Sequence, residues 1–370
     1  MKRKNFKLLI LFSVTFFTLN IKAQLSDVTQ MLNGGLADAN LLTKAYLNPW
    51  GKDFAVGLGN GWFNTAKPHG FLPIPGFDIT FMGTVTMVPT ADQSFDISKL
   101  GLTSLQPANT NTSALTPTIA GSKTGAQSVS FKPVGGITQP PFSLPNGIGV
   151  SMVALPIVQV GIGLPFRFEL DARYCPTINI SKFGQLGLWG IGLKHDIKQW
   201  IPFISHVPFW DMSLQAAYTS FNLSTASGSY LTPDQSMYYV PNGYDLTQYN
   251  GQAVKFNAHA FVGNLLVSTD IPVINLYAGI GFTSASSTLK ITGTFPTPGV
   301  PTAQDVINNG GVVKSKIVNK VDPINVNFNG NGMRATIGLR LRLAFLAIHA
   351  DMTSASGGIY YTGGLGFSFR

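Results

Sequence analysis

The C-terminal stretch from Met333 to Arg370 leaves the chain little choice of fold. Met333, Ala335, Ile337, Leu339, Leu341 and Leu343 alternate with Arg334, Thr336, Gly338, Arg340 and Arg342. A strand sorts such a period of two onto two faces, whereas a helix would mix the sets around its circumference. The period returns at the very end, where Tyr361, Gly363, Leu365, Phe367 and Phe369 oppose Tyr360, Thr362, Gly364, Gly366, Ser368 and Arg370. In a soluble sandwich the oily face points inward and the other is rich in Lys and Glu. Here the polar face is small, glycine-rich or arginine-bearing, so the oily face is read as the outside, touching lipid.

Composition agrees with that reading. Of 370 residues 45% are hydrophobic and 11% charged, less than half the roughly 25% charged residues of an ordinary soluble domain. The apolar residues are dispersed except at the N-terminus. There Lys2, Arg3, Lys4 and Lys7 precede an apolar run over 8–19, and Ala23 stands before Gln24, the pattern of a secretory signal peptide over 1–23. Its removal takes five basic residues and no acidic one, lowering the net charge from +9 to +4. The basic balance therefore gives no reason to expect nucleic acid as a partner. Cys175 is the sole cysteine, which rules out an internal disulfide. The best candidate for a membrane helix, Gly147–Pro165, is broken by four glycines and Pro156 and reads as a long bent strand.

Residues 24–52 read as a helical plug. Ser26 and Asp38 are candidate caps, Gly34-Gly35 separates two helices, and Asn48-Pro49-Trp50-Gly51 ends the second. Residues 53–370 form the barrel, with Phe54–Phe63 assignable to either part. Strands follow around Phe77–Met87, Ile148–Ile162, Phe166–Cys175, Trp210–Tyr218, Val254–Val262 and Ile274–Phe282, and Gln185–Asp196 is strand-like with an ambiguous phase. The alternation changes phase at Ala344–Leu346, and since a strand crosses a bilayer in about 9–11 residues, a tight turn belongs there. Three long loops, 90–146, 225–252 and 291–330, fall on one side when connections are traced back from the C-terminus. The expected fold is all-β, a transmembrane antiparallel β-barrel of about 10–14 strands behind a short helical plug.

The candidate lumen residues follow from the phase of each strand. Arg167, Glu169, Asp171 and Arg173 oppose Phe166, Phe168, Leu170, Ala172 and Tyr174; Lys255 and His259 oppose Val254, Phe256, Ala258, Ala260 and Val262; Arg334, Arg340 and Arg342 share the final sheet's polar face. The arginines either grip an anionic group or pair with Glu169, Asp171, Asp211 or Asp351 across the lumen. His195 and Asp196 are neighbours and must point to opposite faces. His349 and Asp351 share a face without a third ligand or a nucleophile nearby, and the histidines show no metal-site spacing. Neither enzyme activity nor a cofactor is expected. A hydrolase would need a nucleophile beside a histidine on one rim.

The helical segment after the signal peptide, Ala37-Asp38 followed by Asn48-Pro49-x-Gly51, and the aromatic last strand resemble the outer-membrane long-chain fatty-acid channel family. Lys194-His195-Asp196 with Trp200 also resembles a family of uncharacterised exported barrels. The first resemblance implies a monomeric barrel of fourteen strands in the outer membrane of a Gram-negative bacterium, with Asn48, Pro49 and Gly51 in a hatch, passing hydrophobic compounds such as fatty acids. Trp50 departs from it, standing where the channels carry a small residue. The alternative is a non-transporting barrel that anchors or assists surface assembly or secretion, recognisable by a filled lumen and a protein partner.

Overall fold

The computed structural model describes residues 31–109, 114–133, 141–179, 184–202, 205, 207–235, 238–299, 301–308, 310–312 and 314–369; the signal peptide and the helix placed at Ser26 lie outside them. Ten strands close into an antiparallel barrel: β1 (Phe77–Met87), β2 (Met152–Leu164), β3 (Phe168–Asn179), β4 (Gln185–Asp196), β5 (Trp210–Ser224), β6 (Ala253–Thr269), β7 (Ile274–Thr292), β8 (Gly332–Leu343), β9 (Leu346–Ala355) and β10 (Gly358–Phe369). Each pairs with its sequence neighbours, and β10 closes on β1 in the register Phe77↔Phe369. The fourteen strands implied by the fatty-acid channels are not reached. The short described segments within 94–143 pair among themselves in two small sheets, and among the described residues only Ile324–Asn329 adds to the wall, along the upper part of β7.

The alternation points the way the oily face required. On β1, Asp78, Thr80, Thr84 and Thr86 are buried inside while Phe77, Ile79 and Phe81 are exposed on the outer surface. On β8, Arg334, Thr336 and Arg340 face in, and Met333, Ile337 and Leu339 face out. The turn at the phase break is Ala344-Phe345, with Ala344 at φ 53°. Short connections at 165–167, 197–209, 270–273 and 344–345 occupy one end, and the long loops share the other. Phe77, Phe166, Trp210, Phe345 and Phe369 ring the short-turn end, while Tyr174, Trp189, Phe261, Phe282 and Tyr361 ring the upper edge of the belt, as membrane interfaces favour.

On β6 the expected orientation is reversed. Val254, Phe256, Ala258, Ala260 and Val262 are buried inside, and Lys255, Asn257 and His259 are exposed outside. β6 and β7, at 17 and 19 residues, overrun a crossing of about 9–11. Beyond Phe261 and Phe282 the outward side chains are polar, and the oily side turns in to pack on the plug. Lys255 and His259 are therefore not lumen residues.

The plug is longer than the sequence indicated. A 3-10 turn, Met31–Gly34, leads into α1 (Leu36–Gly57), which runs straight through Pro49; Phe54–Phe63 is plug and not strand, and the chain reaches the wall only at Phe77. The hydrogen bond lost at Pro49 is offset by the packing of the helix's buried side, while Leu41, Lys44 and Asn48 stay exposed. Leu42 and Tyr46 pack with Leu105, Ile119, Val129 and Phe295 from the long loops, and Phe54 packs with Phe221 and Phe256 of the wall. Each such side chain removed from water contributes roughly 1.5–3 kcal/mol. The Asp38 carboxylate does not cap α1; it accepts from the N–H groups of Thr103, Ser104 and Leu105 at 2.7–2.8 Å, tying the helix to the loop above it.

Candidate functional site: the plugged lumen and its seam

α1 enters at the long-loop end and stops halfway down, and residues 58–76 continue as irregular chain to the short-turn end. Irregular backbone at membrane depth is tolerated only where protein satisfies its polar groups, and the inward face of the wall does this. Arg173 donates to the carbonyls of Leu58 (2.9 Å) and Asn60 (2.7 Å), and Arg334 to the Gly59 carbonyl (2.8 Å) and Asn60 Oδ1 (2.9 Å). Thr219 adds a bond to Leu58 O, while Gln159 and Gln215 donate to Trp62 O. Two guanidinium groups thus sit at the C-terminal end of α1, where orphan carbonyls and the negative end of the helix dipole collect. Arg173 also lies 3.8 Å over the Trp62 ring. At Gly61 (φ 70°) a Cβ would stand 2.5 Å from the Met82 sulfur, so only glycine lets the chain turn against the wall there.

Lower down, Glu169 accepts from Lys194 at 2.5 Å and meets His69 of the plug through its backbone N–H and ring Nδ1, both at 2.7 Å. Glu169, Arg173, Arg334 and Arg340 are all nearly inaccessible. Arg340 donates to Ser368 Oγ at 3.1 Å, and Asp351 accepts from Tyr277 at 3.1 Å. The arginine–carboxylate pairs considered from the sequence are replaced by arginine–backbone bonds for Arg173 and Arg334, because the plug supplies acceptors that strand phase could not show. Arg167 is exposed in the β2–β3 turn and pairs with Asp196 (3.0 Å); Arg342 lies half-buried at the same rim. His195 faces outward, stacked on Phe168 and edge-on to Trp200, so the Lys194-His195-Asp196…Trp200 element divides its labour between plug, wall and interface. Gln159, Lys194, Gln215, Thr219, Asn60 and Trp62 were missed, although the wall residues among them occupy the inward phase.

Of the proposed hatch residues, Asn48 is exposed and Pro49 buried inside α1. Gly51 is where the Phe328 ring meets the helix; a Cβ there would be 2.5 Å from it. Burial pushes the Asp53 carboxyl up to about 6, against the opposing effects of the Tyr360 hydroxyl bond and Lys52. Among the described residues no group of three His, Cys, Asp or Glu is placed to hold a metal ion. On the outer wall Ser286 Oγ lies 3.0 Å from His259 Nε2, but among the described residues nothing holds His259 Nδ1.

The wall has one weak seam. β2 and β3 pair only from Gln159↔Arg173 to Leu164↔Phe168, whereas every other ladder around the barrel carries at least ten pairs. Extending the register past Gln159↔Arg173 sets Pro156 opposite Pro176, so neither strand has an N–H to offer at that level. β3 also carries a bulge in its pairing with β4 between Cys175 and Ile178, the kind of irregularity at which a strand bends. The seam lies at the upper part of the apolar belt, beside Tyr174. Behind it is the cluster of Phe54, Val56, Leu58, Val153, Leu155 and Phe221.

One family model matches the chain, over residues 1–369, with the description "Family of unknown function (DUF6588)". No curated protein matches it. Among solved structures, the attachment invasion locus protein Ail of Yersinia pestis aligns at 5% identity and TM-score 0.24, covering 80% of this chain and 96% of Ail. The Ralstonia pickettii toluene transporter TbuX aligns at 11% and 0.24, covering 85% and 74%. The translocator domain of autotransporter NalP from Neisseria meningitidis aligns at 8% and 0.24, covering 89% and 97%. Scores this low carry no inference about this chain. The matching family model is not that of the fatty-acid channels, so that likeness stays a resemblance.

Proposed function

The chain belongs to that family, whose description assigns no activity, and from its geometry alone we propose that it is a monomeric outer-membrane barrel of a Gram-negative bacterium, passing small apolar molecules sideways into the lipid. The long loops then face outward and the short turns the periplasm. The observation that carries this reading is the unpaired seam between β2 and β3, backed by an apolar cluster. An axial path is blocked by residues 58–69 and the polar groups that hold them. A path from the loop-covered mouth along the Phe54–Leu155 cluster and out past Pro156 and Pro176 runs beside apolar side chains. Capture, passage and release need no covalent chemistry, and the loosely oriented His259–Ser286 pair is read as part of a wetted wall.

The test joins Ile157→Cys to the native Cys175 across the seam with a short bismaleimide. In cells expressing the protein, uptake of an apolar naphthylamine fluorophore should exceed that of cells without it, and bridging should remove the excess. Unchanged uptake after bridging rejects the lateral route. The filled lower lumen favours a second reading, a non-transporting anchor for a surface or secretion partner. It predicts no excess uptake at all and a protein that co-purifies in fixed ratio.

A further inference from the structure

We propose that the outer wall above the apolar belt is a docking surface for the phosphates of anionic glycolipid headgroups of the lipid A type, centred on Lys255 and Lys290. The inference rests on the outer-membrane reading above but not on transport. Lys255 and Lys290 are directly opposite in the β6–β7 register, both exposed and both pointing away from the plug. Like charges placed so are destabilising unless an anion lies between them. The next residue outward in that row is Asn325, and the row below holds Asn257, Thr288 and Asn327. Those two rows thus carry amide and hydroxyl donors beside the lysines and no acidic side chain; the Asp322 carboxylate lies in the turn above, accepting from the Gly293 N–H. Among the described residues neither lysine has a salt-bridge partner.

The position fits the occupant. Phe261 and Phe282 mark the upper edge of the belt, and Lys255 lies six residues above Phe261 on the same outward face, about 15 Å higher for a strand tilted near 40°. Lysine stems that bend back toward the membrane bring their ammonium groups to headgroup level. The patch stands above the lipid-facing belt on the same outward face, so a glycolipid whose acyl chains lie on that belt and whose headgroup extends upward brings its phosphates toward this row.

The experiment titrates purified protein in detergent with lipid A and reads bound lipid by native mass spectrometry. With each interfacial cation worth about 1 kcal/mol, Lys255→Gln/Lys290→Gln should bind roughly thirtyfold more weakly. Raised salt should bring the unmodified protein toward the same level. Lys316→Gln/Lys320→Gln, which removes two exposed cations from a loop hairpin, should bind normally. Lys290→Glu should resist heat at least as well as the unmodified protein, having exchanged a repulsion for a pair, and still lose lipid A. Equal binding by the first variant, equal loss by the loop variant, or displacement of lipid A by inorganic phosphate at equal concentration overturns the proposal. Fluorophore uptake should be normal in the first variant, so failure here and failure of the transport reading are separable.

Discussion

Replacing Arg334 by Met removes one of the two cations at the end of α1 while keeping the length and most of the volume of the side chain. Two hydrogen bonds go, to Gly59 O at 2.8 Å and Asn60 Oδ1 at 2.9 Å. Bonds to a charged group contribute about 1.5–3 kcal/mol each, and the desolvation cost that a buried guanidinium no longer carries offsets part of that. A net loss of about 2–4 kcal/mol raises the fraction of molecules with a displaced plug by roughly thirtyfold to a thousandfold. The assay is single-channel recording in planar bilayers, where the unmodified protein should be closed nearly all the time and Arg334→Met should open in bursts. Arg342→Met is the control, since it removes the same charge from the rim without touching the plug. Adding Arg173→Met should give less than the sum of the two effects, because Asn60 is held by both arginines. If Arg334→Met opens no more often than Arg342→Met, the clamp does not hold the plug.

Asp53 gives a pH signature: its carboxyl is pushed up to about 6 from an ordinary 3.8, so the fold binds more protons than the unfolded chain between those values and loses stability as pH rises through them. Asp53→Asn should remove up to about 3 kcal/mol of that fall, read as the difference between the two proteins' guanidinium midpoints at pH 4 and pH 8. Gly51→Ala drives a methyl into the Phe328 ring and should destabilise by about 1–3 kcal/mol despite the better helix propensity of alanine, with the loss recovered by Phe328→Leu in thermal unfolding.

The barrel was legible because lipid imposes one rule on every strand at belt height: each outward side chain between the aromatic rings must be oily. Met333–Leu343 and Ile274–Phe282 obey it without exception, and the turn at Ala344 follows from their phase. Val254–Val262 obeys the opposite rule with the same pattern, since the sequence records which residues share a face but not whether that face meets acyl chains or a plug. Pro49 misled for a related reason. A helix packed against wall and loops tolerates a missing hydrogen bond. Glu169 and Arg173 were assigned to the lumen from their phase, but their partners, His69 and the carbonyls of Leu58 and Asn60, lie about 100 residues away in irregular chain with no period to read. The seam was written in Pro156 and Pro176, and only the register between β2 and β3 reveals that they face each other.

The sideways route requires a wall open to lipid between β2 and β3, and the native Cys175 reports on that opening directly. In proteoliposomes, a maleimide carried on a lipid tail should label Cys175 rapidly, and a charged, water-soluble maleimide should label it slowly from either side. Rapid labelling by the charged reagent alone, or protection from both, would mean that the seam is wetted or sealed, and the sideways route would be contradicted.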